Sequence, residues 1–213
     1  MPPPGKRLRN PAPNWRECWK KLFLLVTNIE EMPAAQTTHD RLQNAALSLF
    51  GEHGYDNVTV EQIASAAGVS HMTFFRHFPT KESVVVSDPY DPLIAEAVSL
   101  QPADLGALER VRRGLIEVST AMGDTIDGST RSRIRIGVSH PKLRAAMWEN
   151  NGVTEDILAS ALIESGESEF EARVVVGACL GAVMAALVDW AEDDSGESLG
   201  VRIMRALDFL ELE

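Results

Sequence analysis

Apolar residues recur along this chain at spacings of three and four, the period of an α-helix with one face turned inward. Leu42, Ala45, Ala46, Leu49 and Phe50 keep that period, with Thr37 or Thr38 as the cap and Gly54 expected to end the helix in the left-handed conformation. Thr59-Val-Glu-Gln62 has the form of a capping box, in which the threonine oxygen accepts from an amide three residues on and the glutamine reaches back. A second helix is therefore expected over about 60–67, with Ile63, Ala64 and Ala67 inward. Gly68 breaks it, and Ser70 caps a third helix over about 71–77. Pro79 stops that one, and Thr80 caps a fourth beginning at Lys81. Two short helices joined by a glycine turn form a helix-turn-helix, and the small Ala64 and Gly68 are expected to let them cross closely.

After the bend at Pro89 and Pro92 the helical period continues, with helices expected over about 93–100, 103–122, 126–138, 141–150, 153–164, 168–192 and 198–212. The stretch 131–136 alternates weakly, as a strand would, but its neighbours are helical. The expected fold is all-α: an N-terminal three-helix helix-turn-helix domain over 38–86, then a larger helical domain over 87–213.

Residues 1–37 read as a basic extension, proline-rich and unstructured to residue 13. Trp15, Trp19, Leu22, Val26 and Ile29 then mark a short basic amphipathic helix. It suits a membrane surface, a DNA-contacting arm or an accessory packing role, or precedes a natural start at Met32.

Charge narrows the functional classes. Six Lys/Arg against three acids give residues 1–37 a charge of +3, three against five give 38–86 −2, and eleven against 23 give 87–213 −12. The formal total of −11 argues against nonspecific nucleic-acid binding and leaves room for a small, shaped DNA site. Cys18 and Cys179 lie far apart with no CxxC or Cys/His cluster, which suggests neither a disulfide framework nor a zinc site, and a cytoplasmic location is expected. His71 and His77 are six apart, a poor spacing for a shared metal, so no metal and no cofactor is expected. His39 and His53 read as surface residues at the ends of the first helix. The apolar run 174–188 has 15 residues against the roughly 20 that span a bilayer, so it reads as a buried helix and no membrane partner is expected. Signatures of hydrolases, P-loops, dinucleotide folds and zinc proteases are missing, so an enzyme is not expected.

From Thr38 to about Val86 the chain resembles the DNA-binding domain of the TetR family of transcriptional regulators. The matching residues are Ala45-Ala46, Leu49-Phe50, Gly54-Tyr55, Thr59-Val60, Ile63-Ala64, the run from Ala67 to Ser70, that from Thr73 to Phe78, and Pro79-Thr80-Lys81-Glu82. The match covers about a quarter of the chain. The remainder is similar to the family in length and helical character, and its Arg-x-Arg and His-Pro-x-Leu-Arg elements are similar to those of actinobacterial members.

The resemblance implies that the 70–77 helix enters the major groove of double-stranded DNA, with His71, Met72 and Thr73 facing base edges. It implies phosphate contacts from Thr59, Ser70, His77 and Lys81, with Phe74 and Phe78 packed in the domain core. Two positions depart from the family. Phe75 stands where a phosphate-bonding tyrosine is common, which leaves it packing against sugar, and Met72 stands where glycine is frequent.

For the C-terminal domain the resemblance implies a homodimer on a palindromic operator and an unidentified small-molecule effector. Gly177, Gly181 and Ala185 on one late helix, and Leu199, Ile203, Leu207 and Leu210 on the last, are the expected interface. Met122, Ile134, Met147, Trp148, Phe170 and Met184 are candidates to line the effector pocket, with His140 or an arginine supplying polarity. The residues 128–148 hold Arg131, Arg133, Arg135, Lys142 and Arg144 without an acid, a basic island suited to an anionic ligand or to acids elsewhere in the fold. The function expected is a repressor released by its effector. The alternative is a DNA-binding regulator with no small-molecule ligand, controlled by a protein partner or by abundance.

Overall fold

The structure, a computed structural model, describes residues 37–87, 90–122, 128–193 and 195–211, the side chains of 122, 128 and 129 excepted. The N-terminal extension, including the helix expected over 15–29, lies outside the described residues, as does the side chain of Met122. The described residues form ten helices and no strand: α1 Thr38–His53, α2 Val60–Ala66, α3 His71–His77, α4 Ser83–Val86, α5 Asp91–Ser99, α6 Ala107–Met122, α7 Gly128–Ser139, α8 Pro141–Glu164, α9 Glu169–Glu192 and α10 Leu199–Asp208.

Local chemistry sets most of the boundaries. Thr37 caps α1 by accepting from the Asp40 amide at 3.2 Å, and Asp40 returns the bond to Thr37 N. Gly54 ends α1 with φ 78° and ψ 152°, a glycine-only conformation outside the left-handed helical region that was expected. Thr80 accepts from the Ser83 amide at 3.1 Å, as the expected cap would, but residues 81–82 form a turn and the fourth helix begins at Ser83 rather than Lys81. The helices expected over 141–150 and 153–164 are one continuous α8 through Asn150, Asn151 and Gly152. Buried Leu143, Met147, Leu158 and Leu162 hold its two halves in line, and packing overrides the weak local propensity. The last helix ends at Asp208, four residues earlier than expected.

Two hydrophobic cores result. One gathers Leu42, Phe50, Ile63, Phe74, Phe78 and Val84 from the first four helices; the other is built from α5–α10 around Leu115, Leu158, Leu162, Val176 and Trp190. They are interlocked. Leu143 of α8 is fully buried in the N-terminal core, and Val86 of α4 packs against both. Gly114 permits the α5–α6 crossing, since a Cβ there would stand 2.6 Å from Val98 Cγ2 and 2.8 Å from its backbone nitrogen. By length and composition α9 is apolar enough to cross a bilayer, but Ala172, Val176, Cys179, Leu180 and Ala186 on it are buried in the C-terminal core.

Candidate functional site

The α2–α3 unit is built by its caps. Thr59 Oγ1 accepts from Gln62 N at 3.3 Å while Gln62 Oε1 accepts from Thr59 N at 2.7 Å. Gly68 supplies φ +67° for the turn, and Val69 N then donates to Ala64 O at 2.9 Å. A Cβ at Gly68 would meet nothing within 4 Å, so its part is backbone conformation and not the close crossing that was expected; Ala64, which is buried, is the packing residue. Ser70 Oγ accepts from Thr73 N at 3.1 Å and lies 2.9 Å from Thr73 Oγ1.

Once α3 is fixed, its faces separate. Phe74 is fully buried along with Phe78, the residue that caps the helix, whereas His71, Met72, Phe75 and Arg76 are exposed, Met72 to 76 %. His71 Nε2 lies 3.2 Å from Glu61 Oε1, and its ring meets Phe75 edge-on at 4.8 Å. Thr73 and His77 are half-buried. His39 is more than a surface residue, since its ring lies 4.4 Å from Phe78 and 6.3 Å from His77. Arg76 went unnoticed in the sequence. Its guanidinium has no partner among the described residues, and it sits in the last turn of the same exposed helix, a signal available in the motif itself.

Lys81 is placed differently from the phosphate contact that was expected. Its Nζ donates to Tyr55 O and Val58 O at 2.8 Å each and lies 3.9 Å over the Tyr55 ring. Two of its three donors are thus committed to the turn between α1 and α2, and desolvation holds its pKa below the usual lysine value.

Beside it lies a polar joint between the two cores. The Tyr55 hydroxyl donates a short hydrogen bond to Glu82, and Lys142 of α8 reaches the same carboxylate oxygen at 2.5 Å. Burial opposes ionisation of Glu82, but the bonds from Lys142 and Tyr55 prevail and hold its pKa at about 2. Burial, then the Glu82 carboxylate, raises the Tyr55 phenol well above its ordinary value. His140 caps α8, lies 3.1 Å from Asp56 Oδ2 and stacks 4.8 Å from Tyr55. It therefore belongs to this joint and not to an effector pocket.

A narrow cavity runs through the C-terminal helices in two adjoining lobes that share Ile94, Leu115, Arg133, Val183 and Leu187. The first, about 110 Å³, also touches Val85 and Val86 of α4 and is bordered by Ile134, Met147 and Met184. The second, about 100 Å³, extends to Tyr90, Ser119 and Leu199. Met147 and Met184 also border a separate outer groove with Trp148, Gly181 and Ala185, and Trp148 is 55 % exposed. Phe170, 77 % exposed in the first turn of α9, lines neither lobe nor that groove, which corrects its assignment to the pocket.

The expected dimer residues divide as well. Leu199, Ile203 and Leu207 are buried in their own chain's core and Leu210 packs on it, so this stripe of α10 faces inward. Gly177 and Gly181 are half-buried and Ala185 exposed on the outer side of α9. Ala182, Ala185, Asp189, Arg205, Ala206 and Phe209 border a shallow groove between α9 and α10, with Phe209 88 % exposed and Met204 41 % exposed on the same helical hairpin.

Comparison with known proteins agrees with this geometry. Residues 42–87 match the family described as bacterial regulatory proteins, tetR family, and residues 105–212 match the MftR C-terminal domain. The chain is 30% identical over 189 residues to the HTH-type transcriptional regulator TcmR of Streptomyces glaucescens, covering 83% of this chain and 84% of that one. It is 28% identical over 167 residues to the putative mycofactocin biosynthesis transcriptional regulator MftR of Mycobacterium tuberculosis, covering 75% and 82%. Among solved structures, the SmeT–triclosan complex superposes with a TM-score of 0.56 at 19% identity, over 82% of this chain and 90% of that one. The fatty acid degradation regulator FadR from Bacillus halodurans gives 0.53 at 19% identity, over 83% and 96%.

Proposed function

The chain belongs to the TetR family of bacterial DNA-binding transcriptional regulators, and from that premise we propose that it is a repressor released from its operator by a small molecule. Two copies, joined through the outer faces of α9 and α10, present two α3 helices to successive major grooves, about 34–36 Å apart. His71, Met72 and Thr73 read base edges there, while Ser70, Thr59, His77 and Arg76 hold phosphates. Phe75 packs against sugar.

One observation carries the effector half of this reading. The cavity among the C-terminal helices is walled on one side by Val85 and Val86 of α4, the short helix whose Val84 and Val85 are buried in the DNA-binding core. An occupant that widens the cavity thus presses on a segment continuous with the reading head. The lobes are narrow, about 110 and 100 Å³, so an occupant has to widen them. Shifting such a switch from 1:99 to 99:1 takes about 5.5 kcal/mol of differential binding.

The test is selection of an operator with the purified full chain, followed by a compound screen for loss of binding. The reading expects a compound that releases the operator and no longer does so when Leu187→Trp fills the shared wall of both lobes. Release that survives this substitution would place the effector elsewhere. If no compound releases the protein, control by abundance or by a protein partner takes its place.

A further inference from the structure

The basic island on α7 and α8 resolves into separate uses. Arg131 lies 4.3 Å over the Trp190 ring and donates to Asp193 O, Arg135 donates to Ala191 O, Arg144 to Val138 O, and Lys142 pairs with Glu82. These four tie neighbouring segments together. Arg133 is different. It is half-buried, it borders both lobes of the cavity, and it has no carboxylate within ion-pair distance among the described residues. Its hydrogen bond goes from Nη1 to the carbonyl of Ser87, at 2.6 Å.

The second lobe gives that charge its meaning. Among the described residues, seven aliphatic side chains, three hydroxyl-bearing residues and one charged group, Arg133, line it, with no acid among them. Asp91 borders only the first lobe, where its Oδ1 accepts from the Thr154 hydroxyl at 2.9 Å. A guanidinium facing a space whose described lining in this lobe is apolar or hydroxyl-bearing attracts an anion and repels a cation. A carboxylate also matches its fork with two parallel charge-assisted bonds, where the Ser87 carbonyl takes one.

We infer that the effector is a compact organic anion, an apolar body bearing one carboxylate, and that Arg133 is both its receptor and the link to the reading head. This rests on the effector reading above and names its ligand class and its trigger. Ser87 caps α4, and its own amide bonds back to Ser83 O at 2.9 Å. When a carboxylate takes the Nη1 side of Arg133, the Ser87 carbonyl loses its 2.6 Å partner at the point where α4 leaves the DNA-binding core. Ligand entry and release of the α4 end are then one exchange at a single guanidinium.

The experiment uses three probes with one body and three heads: 2-naphthoate, 2-naphthamide and 2-naphthylmethylammonium. Binding to the full chain is followed by calorimetry, and operator release by fluorescence anisotropy. The expected order is naphthoate at least tenfold tighter than the amide, with the ammonium weakest. Arg133→Met should lose that preference and become indifferent to naphthoate in operator release. Arg133→Lys should keep part of it, and circular dichroism should show both variants folded. Equal affinity for the three heads, a preference that survives Arg133→Met, or no naphthoate binding at millimolar concentration overturns the inference. A neutral effector that still releases the Arg133→Met protein also overturns it and leaves the effector reading standing. Arg133-dependent naphthoate binding with unchanged operator affinity has the opposite meaning: the anion site stands, and the trigger and the effector reading fail.

Discussion

His71 of α3 lies with Nε2 3.2 Å from the Oε1 of Glu61, so the side chain proposed to meet a base edge is held by a carboxylate of the preceding helix. Both are exposed, Glu61 to 68 % of its side chain. Glu61 restrains His71 and, in the proposed docking of α3, also presents negative charge to the phosphate backbone. Glu61→Gln should raise affinity several-fold on operator and unrelated DNA alike. His71→Ala should cost about 1–3 kcal/mol on the selected operator and relax the preference at one base pair. Titrations on the operator and on single-base variants separate the two effects. A uniform loss for His71→Ala on every sequence would remove base reading from that residue.

Phe75 is 40 % exposed beside His71, at the position where the family resemblance implies a phosphate-bonding tyrosine. Phe75→Tyr should tighten binding by about 1 kcal/mol without changing sequence preference. The same titrations check it, and an unchanged affinity would place the ring away from the DNA backbone.

The joint at Glu82 makes stability depend on pH in a defined window. Its folded pKa is about 2, and an unfolded glutamate titrates near 4.3. Because the folded value is the lower, the stabilisation is complete above about pH 4.3 and is lost as pH falls through about 2. Glu82→Gln should cost about 1–2 kcal/mol at pH 7, since Lys142 is well exposed and water screens the pair. The difference from wild type should shrink below about pH 4, which urea titrations at pH 7 and pH 3 measure.

Leu143 is fully buried in the core of the DNA-binding helices although it belongs to α8. Leu143→Ala should destabilise the protein by about 2–5 kcal/mol through the cavity it leaves. It should also split the single thermal transition into two as the cores uncouple. A single transition with a small loss would mean that the polar joint alone holds the cores together.

What was legible in the sequence was what local chemistry decides. Thr59 with Gln62, Ser70 with Thr73, and the turn at Gly68 are contacts within a few residues, so the reading helix and its caps could be placed from spacing. Contacts between distant elements were not legible. Leu199, Ile203 and Leu207 form an amphipathic stripe that says a face is apolar but not which neighbour covers it, and their own chain does. Lys81 follows a helix stop, as a phosphate-binding lysine would, yet it turns inward to carbonyls of the 55–58 turn. Asn150-Asn151-Gly152 reads as a break, and only the packing on both sides of it keeps α8 continuous. Arg133 was one of five basic residues in an island, and the cavity beside it singles it out.

A sequence-specific repressor whose α3 reads a palindrome leaves a two-fold footprint on its operator. Footprinting of an operator selected with the purified full chain tests it most directly. Two protected half-sites about one helical turn apart, related by two-fold symmetry, are expected. His71→Ala should weaken protection there more than on unrelated DNA. Equal protection of all DNA, or a single unpaired half-site, would contradict it.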